Sequence, residues 1–216
     1  MTRASCVTVQ RNRMDVFVAG TASFAAEIAD WARAAGLRVA GLIEMVDPDR
    51  VGTERHGVPV LALDRASAGA QAVLGLGGDR REHWEQLAGR GWDARTIVHP
   101  TCCLASDVQL GAGATIGPLA VVGAGAVLGD QVIVSRGALV GHHVDVGPFA
   151  TLNPGVNVGG NSTIGEGAFV GMGATIVDGT SVGAGAVIAA GAVVVRDVEP
   201  GTRVQGVPAK PVARSS

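Results

Sequence analysis

The stretch "VQLGAG ATIGPL AVVGAG AVLGDQ", residues 108–131, read in sixes, puts an aliphatic residue in the third place of every block: Leu110, Ile116, Val122 and Leu128. Carried on in the same phase through Val134, Val140 and Val146 to Val194, the third place is Leu, Ile or Val in all fifteen hexads up to Asp197. The first place is Ala, Val, Ser or Thr, and the fourth is Gly in most hexads. Two earlier hexads, "TIVHPT" and "CCLASD", keep the phase with Val98 and Leu104. A strict six-residue period predicts a parallel β-helix, whose coils bury their apolar faces only by stacking on one another. The aliphatic then points into a narrow prism with a small first-place residue beside it. Glycine is expected to supply the backbone freedom of the corners.

Outward from this core the pattern changes at both ends. No break interrupts residues 96–197, so no inserted loop is expected there. Residues 198–216, including "VEPGTRVQGVPAKPV", lose the period and gain prolines, which suits a cap over an exposed strand edge. Toward the N-terminus, "MDVFVAG" reads as a strand ending in a glycine turn. "SFAAEIADWARAAG" reads as a helix with Phe24, Ile28, Trp31 and Ala35 on one face and Gly36 just past its end. "LRVAGLIEMVD" and "AVLGLGG" add two strands, and "DRREHWEQLAGRG" a second helix. Alternating strands and helices predict a small parallel, Rossmann-like α/β module over residues 14–95, with ligand-binding loops beyond the carboxyl ends of its strands. Residues 1–13 read as a flexible, solvated tail, and Met14 could equally be the natural start.

Composition narrows the function. The chain is 47% hydrophobic but 3% aromatic, with no Tyr and 33 Gly, so its core is built from small aliphatics, as a repetitive fold requires. A net charge of -2 with no Lys/Arg cluster disfavours nucleic acid and anionic membrane surfaces as partners. No segment reaches the length of a membrane span. The apolar run Val16–Ala26 follows Arg11 and Arg13, but Glu27 and Asp30 on a helical pattern argue against a signal peptide. Cys6, Cys102 and Cys103 make no disulfide framework and no C-x-x-C site, which points to a reducing cytoplasm.

The hexads closely resemble the left-handed β-helix of the hexapeptide acyltransferases, and the family's "GVPAK" tail stands here as Gly206 to Lys210. With an α/β module in front, the resemblance covers residues 14–212. It narrows to the group of sialic acid O-acetyltransferases and nucleotide-amino-sugar N-acetyltransferases. It implies a left-handed helix with three hexads per coil and a homotrimer. It also implies acetyl-CoA as co-substrate in a groove between subunits, no metal, and a nucleotide-linked amino sugar held by the N-terminal module. The family's catalytic histidine lies in a stretch like "VVEHDCVIG", which falls on "LVGHHVDVG" here and makes His142 the general base. Histidine suits that task because it exchanges a proton near neutrality. His143 joins it as a catalytic candidate, although the family usually carries Asp or Glu at that place. Ser135, where relatives often have Asn, and Gly141, where they often have Glu, are further departures.

The same resemblance assigns acetyl-CoA contacts to Thr151, Gly160, Met172 and Ala190, flanked by Gly171 and Gly173. Lys210 and Arg203 read as solvated cap charges, with contact to the CoA phosphates as the alternative. It assigns the nucleotide-sugar to Gly20, Ala22, Ser23 and Phe24, to Glu44 and Met45, and to Gly77. The turn "AGTAS" is not G-x-G-x-x-G, so an NAD enzyme is disfavoured. Backbone N–H groups at that helix start can still receive a phosphate.

The leading expectation is therefore N-acetylation of a nucleotide-linked amino sugar by direct attack on the thioester. The alternative is O-acetylation of a sugar hydroxyl, which needs a stronger base. An acyl-cysteine route through Cys102 or Cys103 is disfavoured by their distance of about two coils, roughly 10 Å, from His142. A zinc hydratase would need three imidazoles, yet the repeat offers only His99 beside the adjacent pair. An ice-binding face would need aligned Thr, but Ile133 stands between Thr115 and Thr151.

Overall fold

The computed structural model describes residues 15–66, 69–78 and 80–212. The tail expected at residues 1–13, with Cys6 and Met14, lies outside them. The chain divides into two compact units, Met1–Ala94 and Arg95–Ser216.

The first unit is an α/β module: β1 (Asp15–Ala19), α1 (Ser23–Ala34), β2 (Arg38–Glu44), β3 (Glu54–Arg55), β4 (Val58–Ala62), β5 (Gln71–Leu74), α2 (Arg81–Ala88) and β6 (Asp93–Ala94). The sheet order is β3-β4-β2-β1-β5-β6. Every pairing is parallel except β3 with β4. The central strand β1 is buried at every position, which is why "DVFVA" reads as a nearly continuous apolar run.

Three strands were expected and six are present among the described residues. Glu54–Arg55 and Asp93–Ala94 are two residues long and largely polar, so they carry no period. β4 contains Pro59, which cannot donate to a ladder. The buried side of α1 also differs from the expected stripe. Ala25, Ile28, Ala29, Trp31 and Ala32 are buried, while Ala35 is already the residue that caps the helix. Gly36, at φ 81°, lets its own N–H reach Arg33 O and that of Leu37 reach Ala32 O, a Schellman ending. Phe17 packs on Trp92 with ring centroids 5.4 Å apart.

The second unit is the left-handed parallel β-helix. Ile116 pairs with Val134, Val134 with Leu152, Leu152 with Val170 and Val170 with Ile188. Partners are eighteen residues apart, so each coil holds three hexads. The first face runs from Ile97–Val98 to Val187–Ile188, the second from Cys103–Leu104 to Val193–Val194, and the third from Gln109–Leu110 to Ser181–Val182. The third-place aliphatics from Ile116 to Val194 fill the prism together with the first-place alanines and valines. After the last hexad, Arg203–Gln205 extends the first face in parallel, and Lys210–Pro211 pairs antiparallel with it.

The corner freedom expected of glycine is found at the sixth place of the hexads. Left-handed backbone occupies the sixth place of the hexads, from Gly113 (φ 73°) through His143 (φ 55°) to Gly191 (φ 67°). Leu119, Gln131, Phe149 and Asn161 adopt it as well. Fourth-place glycines serve close approach instead. A Cβ on Gly147 would fall 2.6 Å from Glu166 N, and one on Gly165 would fall 2.4 Å from Ala184 N. Both are backbone atoms of the next coil, which cannot step aside.

The two glycine classes should respond differently to substitution. Gly165→Ala forces coils apart and is expected to cost about 1–3 kcal/mol. Gly185→Asn, at a sixth place with open space around the added Cβ, should cost under about 1 kcal/mol because Asn tolerates left-handed backbone. Thermal denaturation of the two variants would rank them. The reverse order would refute the assignment.

Candidate active site

His142 and His143 occupy the corner that leads from the second face to the third. The fold forms this corner by carrying Leu139–Val140 into Asp145–Val146 through a turn anchored to both neighbouring coils. His143 N donates to Ala124 O at 2.8 Å, and Asn161 N donates to His142 O at 2.9 Å. Both side chains are exposed. Their Nδ1 atoms lie 3.2 Å apart, with ring centroids separated by 5.4 Å and ring planes at 77°.

Two glycines make room for the rings. A Cβ on Gly160, one coil on, would stand 2.6 Å from both Cε1 and Nε2 of His142. A Cβ on Gly125, one coil back, would stand 2.8 Å from Cδ2 of His143. Gly160, expected as a cofactor contact, is thus the place over which the Cε1–Nε2 edge of His142 lies.

The remaining candidates of the β-helix do not gather there. Met172 and Ala190 are exposed on the corner between the first and second faces, stacked in adjacent coils by the bond from Gly191 N to Met172 O. Thr151 is half-buried on the first face. One copy of the chain therefore displays these residues on two different edges of the prism.

The cysteines stand apart from this chemistry. Cys103 pairs with Val121 and Val121 with Leu139, which sets Cys103 two coils from the histidine strand. Burial pushes the Cys102 thiol up, away from the thiolate. His99 is held by its own turn, with Nδ1 2.9 Å from Thr101 Oγ1. Among the described residues no three His, Cys, Asp or Glu side chains are grouped as metal ligands, and no helix is long and apolar enough to cross a membrane.

In the first unit, Gly20, Ala22, Ser23 and Phe24 follow β1, Glu44 and Met45 stand at the end of β2, and Gly77 follows β5. These three strands are neighbours in the order β2-β1-β5, so their carboxyl-end loops lie side by side. Gly20 is held at φ 120°, with Gly75 O only 2.8 Å from where a Cβ would be. Ala22 caps α1 without a side-chain bond, and no acidic residue lies in the first turn.

Glu44 serves its own loop. Oε1 accepts from the N–H groups of Met45, Val46 and Asp47 at 2.9, 2.8 and 2.9 Å, and Oε2 accepts from the Thr21 hydroxyl. Burial alone would raise its pKa and is the largest single influence, but the hydroxyl and the three amides together hold it below the usual glutamate value. Beside it lies a small hollow of about 190 Å³ lined by Glu44, Met45, Pro48, Val51 and Leu63. A larger one, of about 590 Å³, is bounded by Arg38, Val39 and Val58. It opens at the amino ends of β2 and β4, away from these loops.

Sequence reasoning missed Thr21, Arg50 and Arg55. Arg50 Nη1 donates to Thr21 Oγ1 at 3.2 Å, and Arg55 Nη1 donates to Thr21 O at 3.3 Å. Two guanidinium groups thus converge on the turn that opens α1. Thr21 was visible inside "AGTAS". The arginines were not, because only the folding back of the β2–β4 connection brings them there.

Residues 161–196 match the family described as bacterial transferase hexapeptide (six repeats). The acetyltransferase domain of PglB from Neisseria gonorrhoeae, solved in complex with acetyl coenzyme A, is 31% identical. The match covers 92% of this chain and 99% of that one, with a TM-score of 0.85. A variant of the perosamine N-acetyltransferase from Caulobacter crescentus, in complex with CoA and GDP-perosamine, is 29% identical over 92% of this chain and 97% of that one, with a TM-score of 0.76. WeeI from Acinetobacter baumannii shares the fold at 22% identity, over 92% and 100% of the two chains and with a TM-score of 0.74. Comparison with curated proteins gives no match. The fold and its relatives define an acetyltransferase built on a β-helix. The chain belongs to the hexapeptide-repeat acyltransferase family, and its structural neighbours include an acetyltransferase domain that holds acetyl coenzyme A and a perosamine N-acetyltransferase variant that holds CoA.

The Glu44 bracket carries a pH signature. A carboxyl lowered in the folded state stabilises the fold above the ordinary glutamate pKa, and that contribution is lost as pH falls through the lowered value. Glu44→Gln is expected to cost about 1–3 kcal/mol at neutral pH and less in acid. Tryptophan fluorescence during urea unfolding reports this unit selectively, since Trp31, Trp84 and Trp92 all lie in it. An equal loss at both pH values would remove the charge from the explanation.

Proposed function

We propose that this chain transfers the acetyl group of acetyl-CoA to the amine of a nucleotide-linked amino sugar, with His142 as general base. The observation that carries the reading is the His142 corner. An exposed imidazole lies with its Nε2 over a glycine and its Nδ1 against a second nitrogen. The amine nitrogen attacks the thioester carbonyl while Nε2 takes its proton. The tetrahedral intermediate then collapses, expels the thiolate of CoA, and the imidazolium returns the proton to sulfur.

The two-edge distribution of the candidates favours a trimer. A groove between copies would be closed by the His142 edge of one and the Met172–Ala190 edge of the next, and a cyclic trimer repeats that pairing three times. Small residues at Gly160, Gly171, Gly173 and Ala190 let the pantetheine lie against backbone, with Thr151 beside it. The nucleotide-sugar is assigned to the loops of Gly20, Ala22, Ser23, Phe24, Met45 and Gly77, with Glu44 acting through the Met45–Asp47 turn that it holds. A cytoplasmic location suits an enzyme that draws on acetyl-CoA.

O-acetylation remains the second reading. An imidazole stands where a carboxylate would assist the base, which favours the more nucleophilic amine. The complex of the Caulobacter crescentus relative with GDP-perosamine points the same way.

CoA release measured with paired amino and hydroxy sugars linked to UDP, GDP, dTDP and CMP should show turnover with one of the amino sugars. His142→Ala should lower kcat on that substrate by about 10²–10⁴-fold. Turnover confined to the hydroxy sugars would establish O-acetylation, and full activity in His142→Ala would refute the base.

A further inference from the structure

We infer that His143 is a positioning residue that works as a neutral hydrogen-bond acceptor, fixing the tautomer of His142 so that Nε2 is the free base. The inference rests on the proposed role of His142 and adds to it the means by which that role is enforced without an acid.

Two Nδ1 atoms 3.2 Å apart can bond only if one carries a hydrogen and the other a lone pair. If His143 donated, His142 would carry its proton on Nε2 and could not accept another there. If His142 donates, its Nδ1–H is occupied by His143 and its Nε2 keeps a lone pair. Catalysis by His142 therefore requires His143 to be the Nε2–H tautomer with Nδ1 as acceptor. When His142 takes the proton of the acceptor amine, its Nδ1–H remains in place, and the bond to His143 becomes charge-assisted.

The corner has room for this pair on both sides. His143 stands at φ 55° in the left-handed backbone common to the sixth places of the repeat, as Leu119, Gln131, Phe149 and Asn161 do. The bond from His143 N to Ala124 O, 2.8 Å long, ties that backbone to the coil behind. Gly125 in that coil lacks the Cβ that would meet the His143 ring, and Gly160 in the coil ahead lacks the one that would meet the His142 ring. Neither neighbouring turn, Gly123–Gly125 or Gly159–Asn161, carries an ionisable side chain. The nearest acids in the stack are Asp107, two coils back at the matching corner, Asp178, whose Oδ1 folds back to 2.1 Å from where a Cβ on Gly159 would stand, and the exposed Asp145 on the following strand. The pair can hold one added proton with its hydrogen bond intact, whereas a second would set two N–H groups against each other.

Substitutions at 143 that preserve the backbone test the idea. His143→Gly keeps the left-handed turn and removes the acceptor. It should fold, retain its KM for acetyl-CoA, and lose kcat on the order of tenfold to a hundredfold. His143→Asn, which tolerates the same backbone as Asn161 at φ 57° and offers a carbonyl oxygen, should recover most of that loss. His143→Asp should move the acid limb of kcat/KM to higher pH, because a carboxylate stabilises the imidazolium. An unchanged kcat and acid limb in His143→Gly, alongside an inactive His142→Ala, would overturn the role of His143 and leave the base intact. Full activity in His142→Ala would remove the reading on which it rests. Equal losses in the Gly, Asn and Asp variants, with no shift of the acid limb, would show His143 to be structural only.

Discussion

Successive coils of the β-helix approach so closely that, at the fourth place of most hexads, there is room for a hydrogen and nothing larger. A Cβ on Gly123 would stand 2.8 Å from His142 N, and one on Gly141 2.6 Å from Gly160 N. At these glycines the turns stack at strand spacing, about 4.8 Å, with no side chain between them. Hydrogen bonds such as Gly123 N to Val140 O at 2.8 Å and Gly141 N to Val158 O at 2.8 Å accompany that approach. The same constraint locks the phase. A slip of one residue would drive a second-place side chain into the prism and bring a Cβ against the next backbone.

A locked phase makes corners into fixed positions. Residues eighteen apart are neighbours whatever their chemistry, so Ala124, His142 and Gly160 form one column and Gly125, His143 and Asn161 the column beside it. The ring of His142 reaches over Gly160 because that column offers no side chain there. The acetyl-CoA candidates follow the same ruler on a different edge, where Met172 and Ala190 are stacked. The N-terminal module positions its loops by another device, a buried carboxylate. Glu44 gathers three backbone amides and the Thr21 hydroxyl, which ties the end of β2 to the turn after β1.

The β-helix was legible because its interior accepts one aliphatic side chain per hexad, and that demand repeats without relief from Leu110 to Val194. The place of the left-handed residue was hidden, because Leu119, Gln131, His143, Phe149 and Asn161 occupy it beside the glycines. The glycine column that did show, at the fourth place, answers to sterics between coils rather than to the dihedral. In the α/β module, β1 and α1 carry burial patterns that a single strand or helix displays. β3, β4 and β6 gain their identity from their neighbours and so left little trace. At the site, the hexad phase and the family motif converge on His142, whereas the contact of its Nδ1 depends on a backbone angle at the next residue. Arg50 and Arg55 reach Thr21 from 29 and 34 residues away, a convergence that no local pattern encodes.

The adjacent histidines also bear on the choice of acceptor. A carboxylate beside a histidine base does two things: it holds the tautomer, and it lends charge to the imidazolium. A neutral imidazole can do the first and does little of the second. An amine needs mainly the first, since its lone pair already attacks and its proton departs as the new bond forms. A hydroxyl needs both, because it is a poor nucleophile until its proton is well on the way to the base. The left-handed corner at residue 143, cleared by Gly125 behind and followed by Gly160 ahead, accommodates the larger ring that replaces the acid. Under the proposed role of His142, the residue pair that departs from the family pattern is consistent in its geometry with a single demand, orientation of the base, and on that proposal the demand fits amine transfer better than hydroxyl transfer.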